Sequence, residues 1–195
     1  MIDEAVAYLE NGEIISFPTE TYYGLGVDPF NNNAVERLFS LKKREKNKAI
    51  LLLVGDYQSI KDLALSIPEI YLPLIQKFWP GPLTLLFPAG KNINPLLTGG
   101  TGNIGIRVSS HPVAKDLLKV WKRPITATSA NISGRPPAST VNNVSQYFKK
   151  SISCILDGGQ SNCTNPSTIV GVENDVLTII REGQISFDEV VKALE

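Results

Sequence analysis

The chain has few of the side chains that build metal centres or disulfide frameworks. Its 195 residues include one histidine, His111, and two cysteines, Cys154 and Cys163. A zinc site of the usual kind would need several carboxylates besides, and two thiols nine residues apart make no disulfide framework. We therefore expect reduced thiols and no resident metal.

The sequence also lacks a long apolar run and an excess of either charge. No apolar segment approaches the length of a membrane span, and the N-terminal "MIDEAVAYLENGE" is acidic where a signal peptide is basic. Nineteen Lys and Arg balance nineteen Asp and Glu, which argues against a surface coated with nucleic-acid-binding charge, so any basic patch must be local. With 43% apolar residues, the chain is expected to form one domain over residues 1–195, cytoplasmic and without membrane contact.

Three common catalytic motifs are missing. The sequence contains no G-x-x-x-x-G-K-[ST], no G-x-G-x-x-G between a strand and a helix, and no G-x-S-x-G. A Ser-His-Asp site would have to use His111, but "SSHPVA" is typical of a helix start, so capping or packing is the favoured interpretation.

Strands alternate with helices along most of the chain. Helices are predicted at Asp3–Asn11, in "AVERLFSLKKR", from Pro68 to about Phe78, from Pro112 to about Trp121, in "STVNNVSQYF" with a cap at Ser139 or Thr140, and after a capping box of Ser186 and Glu189. Strands are predicted in "EIISFP", "AILLLV", "WPGPLTLLFP", "NIGIRV", "RPITATSANISG", "CILDGG", "STIVGV" and "VLTIIR". A loop rich in Gly, Pro and Asn is predicted in "PTETYYGLGVDPFNNN". This order predicts an α/β fold with a mixed sheet covered by helices.

A cluster of basic residues stands in "LFSLKKREKNKAILLLV". Lys42 and Arg44 are predicted at a helix C-terminus, and Lys48 in the link to the next strand. A lysine and an arginine two residues apart can clamp a polyphosphate, one as a mobile charge and the other as a rigid fork. A solvated helix end whose cations complement the helix dipole explains the same residues.

Other polar residues follow predicted strands, where open α/β sheets build ligand crevices. These residues are Thr19 and Thr21 in "PTETYYG", Arg107 in "GIRVSS", Ser129 and Asn131 in "SAN", Ser167 and Thr168 in "PSTIV", and Arg181 in "IIREG". Ordinary turns explain "PTETYYG" and "SAN" equally well, and Arg107 could be a paired residue of an edge strand.

Taken in order, "FPTETYYGLG", "LKKR", "FWPGPLTLLF", "GIRVSSHPVA", "ITATSANISG", "DGG", "PSTIV" and "IIREG" resemble the YrdC-like threonylcarbamoyl-AMP synthases from about residue 13 to residue 183. The resemblance implies a twisted sheet around a concave, positively lined cavity, in the short, single-domain bacterial form. It implies that L-threonine, bicarbonate and ATP give threonylcarbamoyl-AMP and pyrophosphate. That adenylate serves the tRNA modification machinery, which attaches its threonylcarbamoyl group to the adenosine beside the anticodon.

The resemblance also implies roles for particular residues. The K-x-R motif falls on Lys42 and Arg44, the expected catalytic pair on the phosphates of ATP with Mg²⁺, and Lys48 is a further expected ATP contact. The remaining expected contacts are Ser129, Asn131 and Arg181 near the nucleotide, and Thr19, Arg107 and Ser167 around the threonine end or the junction.

The sequence departs from the usual family pattern at three places. Glu45 stands where the family usually has proline and Ala49-Ile50 where Pro-Leu or Gly-Leu is usual, so we expect Glu45 to pair with Arg44 or Lys42 in the empty enzyme. Glu182 likewise replaces a common proline.

The segment "GKNINPLLTGGTGN", residues 90–103, is a candidate lid over the site or an ordinary surface connection.

Two other functions compete with this one. The basic stretch suits an RNA-binding module with a weak tRNA contact, although zero net charge disfavours it. A divergent relative could use the same fold on another carbamoyl-type substrate. The presence of both K-x-R and "SAN" favours the threonine enzyme.

Overall fold

The computed structural model describes all 195 residues. Its helices are α1 (Ile2–Glu10), α2 (Asn32–Lys42), α3 (Tyr71–Phe78), α4 (Pro95–Thr98), α5 (Pro112–Trp121), α6 (Val141–Phe148) and α7 (Phe187–Val191), with a 3₁₀ turn at Tyr57–Asp62. Its strands are β1 (Ile15–Pro18), β2 (Tyr23–Gly26), β3 (Leu51–Leu53), β4 (Leu83–Pro88), β5 (Asn103–Arg107), β6 (Ile125–Ser129), β7 (Cys154–Ile155), β8 (Thr168–Glu173) and β9 (Val176–Arg181).

The strands form one mixed sheet in the order β7-β1-β2-β6-β3-β5-β4-β8-β9. The pairs β1–β7, β3–β5 and β4–β8 are parallel, and the others are antiparallel. The predicted α/β class with a mixed, helix-covered sheet is confirmed. None of the helices is long and apolar enough to cross a membrane.

Strand β2 lies where the sequence predicted a loop. Tyr23 and Leu25 are fully buried, and β2 pairs with both β1 and β6. The glycines that suggested a loop permit close packing instead, because a Cβ on Gly26 would lie 2.6 Å from Ile125 Cδ1 and 2.7 Å from Phe17 Cε1. The packing of β2 in the sheet therefore outweighs the low strand propensity of its two glycines.

The predicted helix caps are present. His111 Nδ1 accepts a hydrogen bond from Val113 N at 3.2 Å, directly before Pro112 opens α5, which confirms the capping interpretation of His111. Thr140 caps α6, and Ser186 with Glu189 forms the predicted capping box of α7.

The two faces of the sheet are covered differently. A large apolar cluster packs against the face that carries Leu52, Ile104 and Ile106. On the opposite face, α1 and α5 cover Phe17, Leu53 and Ile125 in a smaller cluster. Because side chains alternate along a strand, Gly105 and Arg107 of β5 lie on that second face, beyond the two helices. This partly uncovered face leaves room for a cavity.

Candidate functional site

A cavity of about 420 Å³ lies on the partly uncovered face of the sheet. Its floor is formed by one residue from each of five strands, most of them small, namely Gly24, Leu51, Thr84, Gly105 and Ala127. Its walls come from the segments that follow β1, α2 and β6, from those that precede β3 and β8, and from Arg181 at the end of β9. The cavity therefore collects the strand-end segments that the sequence had singled out.

Six of the nine predicted site residues line this cavity: Thr19, Arg44, Arg107, Ser129, Ser167 and Arg181. Lys42 and Asn131 are buried directly behind the wall that contains Ser129. Lys48 lies outside the cavity.

Three arginines bring positive charge to the cavity. Arg44 donates from Nε to Lys48 O at 2.9 Å and from Nη2 to Ala49 O at 2.6 Å. Arg181 donates from Nη2 to Ser167 O at 2.9 Å and to Ser167 Oγ at 3.1 Å. Burial lowers the pKa of the Arg181 guanidinium, and the charges on Arg107 and Arg44 lower it further. An anion bound between these like charges would favour their charged forms.

Arg107 belongs to the interior of the sheet, so the edge-strand alternative is wrong. Strand β5 lies between β3 and β4, and Arg107 is 3% exposed. Its Nη1 lies 3.4 Å from Glu20 Oε1, and the hydroxyl of Ser109 donates to Glu20 Oε2. Burial lowers the pKa of Arg107, which Glu20 opposes, and its buried Nε has no hydrogen-bond partner. A buried guanidinium held by one ion pair retains donors for a ligand.

Lys42 does not face the cavity, contrary to the predicted phosphate contact. Its ammonium donates to Ser129 O, to Asn131 O at 2.7 Å and to Asn131 Oδ1 at 3.2 Å, so all three protons are used. Asn131 Oδ1 also accepts from Ser129 Oγ at 2.6 Å. Burial, followed by the charge on Arg44, lowers the pKa of Lys42 to about 7. The K-x-R and S-x-N motifs thus form one hydrogen-bonded unit.

Lys48 and Glu45 pair with each other at the surface. Lys48 Nζ lies 2.7 Å from Glu45 Oε1, with both side chains more than half exposed. The expected pairing of Glu45 with Arg44 or Lys42 is wrong, because Lys42 is enclosed by oxygens and Arg44 is held by backbone carbonyls. The Lys48 ammonium makes no cavity contact, although the Lys48 carbonyl holds Arg44.

Hydroxyl groups complete the lining. Thr19 Oγ1 lies 2.9 Å from Thr21 Oγ1 and donates to Tyr22 O at 2.7 Å. Thr84 Oγ1 of β4 lies 3.0 Å from Oγ of Ser167, which directly precedes the parallel strand β8. Sequence reasoning missed Thr84, although a threonine inside the apolar run "PLTLLF" was a usable signal.

Glu20 was missed as well. It is the carboxylate that holds Arg107, and the sequence shows it only as one polar letter in "PTETYYG".

The segment 90–103, a candidate lid, does not line the cavity. It contains α4, and the Leu97 carbonyl accepts a hydrogen bond from Ile50 N at 3.0 Å. The segment therefore packs behind the loop that carries Lys48 and Ala49.

The family model for the Sua5/YciO/YrdC domain, described as telomere recombination, matches residues 7–183. The chain belongs to this family. A Sua5/YciO/YrdC relative from Photobacterium profundum, named threonylcarbamoyl-AMP synthase, is 39% identical over 186 residues, which are 93% of this chain and 98% of the relative. One of the same name from Pyrococcus abyssi is 34% identical over 97% of this chain, which spans 56% of that longer protein.

Solved structures of the family have the same fold. The crystal structure of P. abyssi Sua5 complexed with L-threonine matches with a TM-score of 0.95 and 34% identity, over 98% of this chain and 56% of that one. Escherichia coli YciO matches with a TM-score of 0.87 and 24% identity, over 97% of this chain and 92% of that one, which shows the fold alone.

The arrangement suits the positioning of anions. Arginines and hydroxyls surround the cavity, and the one histidine is used as a helix cap. A cavity of this composition can bring two anionic reactants together and stabilise the charge that develops between them.

Proposed function

We propose that this chain is a threonylcarbamoyl-AMP synthase, with residues 1–195 acting as one domain. The observation that carries the proposal is the convergence of Arg44, Arg107 and Arg181 on one cavity in a member of this family. The substrates are L-threonine, bicarbonate and ATP, and the products are threonylcarbamoyl-AMP, pyrophosphate and water.

The chemistry joins two anions. The threonine amine forms an N-carboxylate, either by adding to carbon dioxide and releasing a proton or by reacting with bicarbonate and releasing water. An oxygen of that carboxylate then forms a bond to the α-phosphorus of ATP, and the bond from phosphorus to the pyrophosphate oxygen breaks in line. Repulsion between the reactants is the main obstacle, so fixed cations and oriented donors supply the catalysis. No protein nucleophile is required.

Each part of the cavity has a place in this reaction. Arg44 and Arg181 act on the phosphates, and Ser129 bonds the nucleotide. Lys42 acts indirectly, because its ammonium holds the backbone of the Ser129–Asn131 turn and the side-chain amide of Asn131 in place. Thr19, Ser167 and Arg107 line the same cavity and bind the threonine and its N-carboxylate.

Magnesium fits this cavity as a companion of ATP. Protein sites for Mg²⁺ use carboxylates together with substrate phosphates. No carboxylate lines the cavity, and Glu20 is already engaged by Arg107 and Ser109. The phosphates of ATP would therefore hold the metal.

The product determines the downstream partners. A mixed carboxylic–phosphoric anhydride is an activated acyl donor, so the tRNA modification machinery must consume it by acyl transfer to adenosine. A protein supplying tRNA modification works in the cytoplasm, and a neutral chain makes at most a weak direct contact with tRNA.

Detection of the adenylate tests the function. The purified protein is incubated with ATP, Mg²⁺, L-threonine and labelled bicarbonate, and mass spectrometry follows threonylcarbamoyl-AMP, with threonine omitted as the control. We expect a threonine-dependent product. Product formation from carbamoyl phosphate in place of threonine and bicarbonate would favour the other carbamoyl chemistry. RNA binding without any turnover would favour the RNA-binding module.

A matched pair of variants links the activity to the cavity. Arg44→Ala should lower adenylate formation about 100-fold, roughly 2.7 kcal/mol, the scale for one preorganised transition-state contact. Lys48→Ala removes an exposed cation four residues away and should change the rate less than about twofold, since exposed pairs contribute little. Equal effects would remove Arg44 from the mechanism.

A further inference from the structure

The turn at α4 forms the back of the loop that holds Arg44. Asn94 Oδ1 accepts from Leu96 N at 2.9 Å, and Pro95 opens the turn. Leu97 is fully buried, and its carbonyl accepts from Ile50 N at 3.0 Å. The turn is therefore fixed to the start of β3.

Gly99 is the point of closest approach between this turn and that loop. A Cβ on Gly99 would lie 2.7 Å from Asn47 O and 2.8 Å from Ala49 N, distances that side-chain carbons do not reach in proteins. The loop backbone therefore packs directly on the Cα atom of Gly99. Any side chain here must push the Asn47–Ala49 backbone away.

The displaced backbone is the one that orients Arg44. The carbonyls of Lys48 and Ala49 accept from Arg44 Nε at 2.9 Å and from Arg44 Nη2 at 2.6 Å. Two parallel bonds to a planar guanidinium fix its direction as well as its position. Movement of the loop would therefore carry the guanidinium out of its place in the cavity wall.

We propose that Gly99 is a positioning residue for Arg44, acting through the backbone of Asn47–Ala49. Gly99 does not itself line the cavity. The part that concerns catalysis rests on the proposed function. A displacement of about 1 Å in a catalytic group is enough to lower activity on the order of 100-fold.

Gly100 provides a matched control. Gly99 and Gly100 both have left-handed backbones, with φ of 58° and 81°. The strain of an alanine in this conformation should therefore destabilise the protein to a similar degree at either position. A Cβ on Gly100 meets nothing within 4 Å. The two variants therefore differ in the contact with the Arg44 loop.

The experiment compares Gly99→Ala with Gly100→Ala, alone and combined with Arg44→Ala. Calorimetry measures pyrophosphate binding, and steady-state assays measure kcat and KM for ATP. We expect Gly99→Ala to weaken pyrophosphate binding and to lower kcat/KM at least about tenfold. Gly100→Ala should stay within about twofold of the wild type. In the Arg44→Ala background, Gly99→Ala should add no further loss, because the group it positions is gone.

Two results would overturn the proposal. One is an equal effect of Gly99→Ala and Gly100→Ala on pyrophosphate binding; the other is a full additional loss from Gly99→Ala when Arg44 is absent. If Gly99→Ala fails to fold, Gly99→Asn and Gly100→Asn make the same comparison, since asparagine tolerates the left-handed conformation and still carries a Cβ.

Pyrophosphate binding separates this proposal from the function. It reports the Arg44 contact whether or not the adenylate forms. A wild-type protein that binds pyrophosphate without making threonylcarbamoyl-AMP would contradict the proposed function, and the comparison of Gly99 with Gly100 would still decide the role of Gly99.

Discussion

At the scale of single residues, the two cations of the K-x-R motif have different surroundings. Helix α2 ends at Lys42, and Lys43 adopts a left-handed conformation with φ of 51°, which turns the chain between the two side chains. Lys42 is 1% exposed beneath the Ser129–Asn131 turn, whereas Arg44 lines the cavity. Sequence spacing predicted the pair of cations. It could not predict that Arg44 lines the cavity while Lys42 is buried, because this difference depends on the left-handed backbone of Lys43.

The buried ammonium of Lys42 makes stability depend on pH. Its pKa of about 7 lies below the ordinary value of 10.5, so between these values the unfolded chain holds a proton that the folded chain has released. The free energy of unfolding should therefore rise with pH over this interval, with a slope of up to about 1.4 kcal/mol per pH unit. Below pH 7 both states are protonated, and this contribution to the slope vanishes.

Lys42→Met removes this titration. Urea unfolding of the wild type and the variant at intervals from pH 6.5 to 10 measures both slopes. We expect the variant to be less stable, because three oxygen acceptors lose their donor, and to show a flatter profile than the wild type above pH 7. Parallel profiles would show that Lys42 keeps its proton throughout this range.

At the scale of secondary-structure elements, the sequence predicted the elements whose patterns are strong. Strands such as "NIGIRV" and the helix opened by Pro112 follow clear periodicity and capping rules. Strand β2 was missed because its two glycines indicate a loop, while its pairing with β1 and β6 is fixed by tertiary contacts. The short helix α4 was missed for a related reason, since four residues carry no periodicity.

Strand β2 offers a test of that tertiary constraint. A Cβ on Gly26 would lie 2.6 Å from Ile125 Cδ1, whereas a Cβ on Gly24 would meet Phe17 Cζ at 3.5 Å, an ordinary contact. Gly26→Ala should lower the free energy of unfolding by about 1–3 kcal/mol, the range for overpacking a rigid core. Gly24→Ala should lower it by less than about 1 kcal/mol.

Chemical denaturation of both β2 variants measures the difference. The two substitutions add the same methyl group to the same strand, so any general effect of alanine cancels. Equal destabilisation would mean that β2 tolerates a small movement towards solvent and that Gly26 is not a packing requirement.

At the scale of the whole molecule, a chain of zero net charge gathers three arginines around one cavity. Composition correctly predicted that any basic site had to be local. Arg107 and Arg181 were candidates because they lie near strand ends, but their roles came from a family resemblance, since nothing in their strands distinguishes a cavity residue from a surface one. Their convergence depends on β5 occupying the middle of the sheet and on β9 following β8 at its edge.

An anionic ligand should therefore stabilise the folded protein through this cavity. At an ATP concentration about 100 times its Kd, binding adds about 2.7 kcal/mol, which raises the Tm of a chain of this length by about 5–10 °C. The double variant Arg44→Ala/Arg181→Ala should reduce this shift to less than about 2 °C at the same ATP concentration, since a 100-fold weaker Kd leaves roughly 0.4 kcal/mol.

Lys115→Ala/Lys119→Ala removes the same charge from exposed positions on α5 outside the cavity, and it should keep the full shift. Differential scanning fluorimetry with Mg²⁺ and ATP measures all three proteins. Equal loss in both double variants would mean that ATP responds to the overall charge of the protein, and the arginine cavity would no longer be needed to explain nucleotide binding.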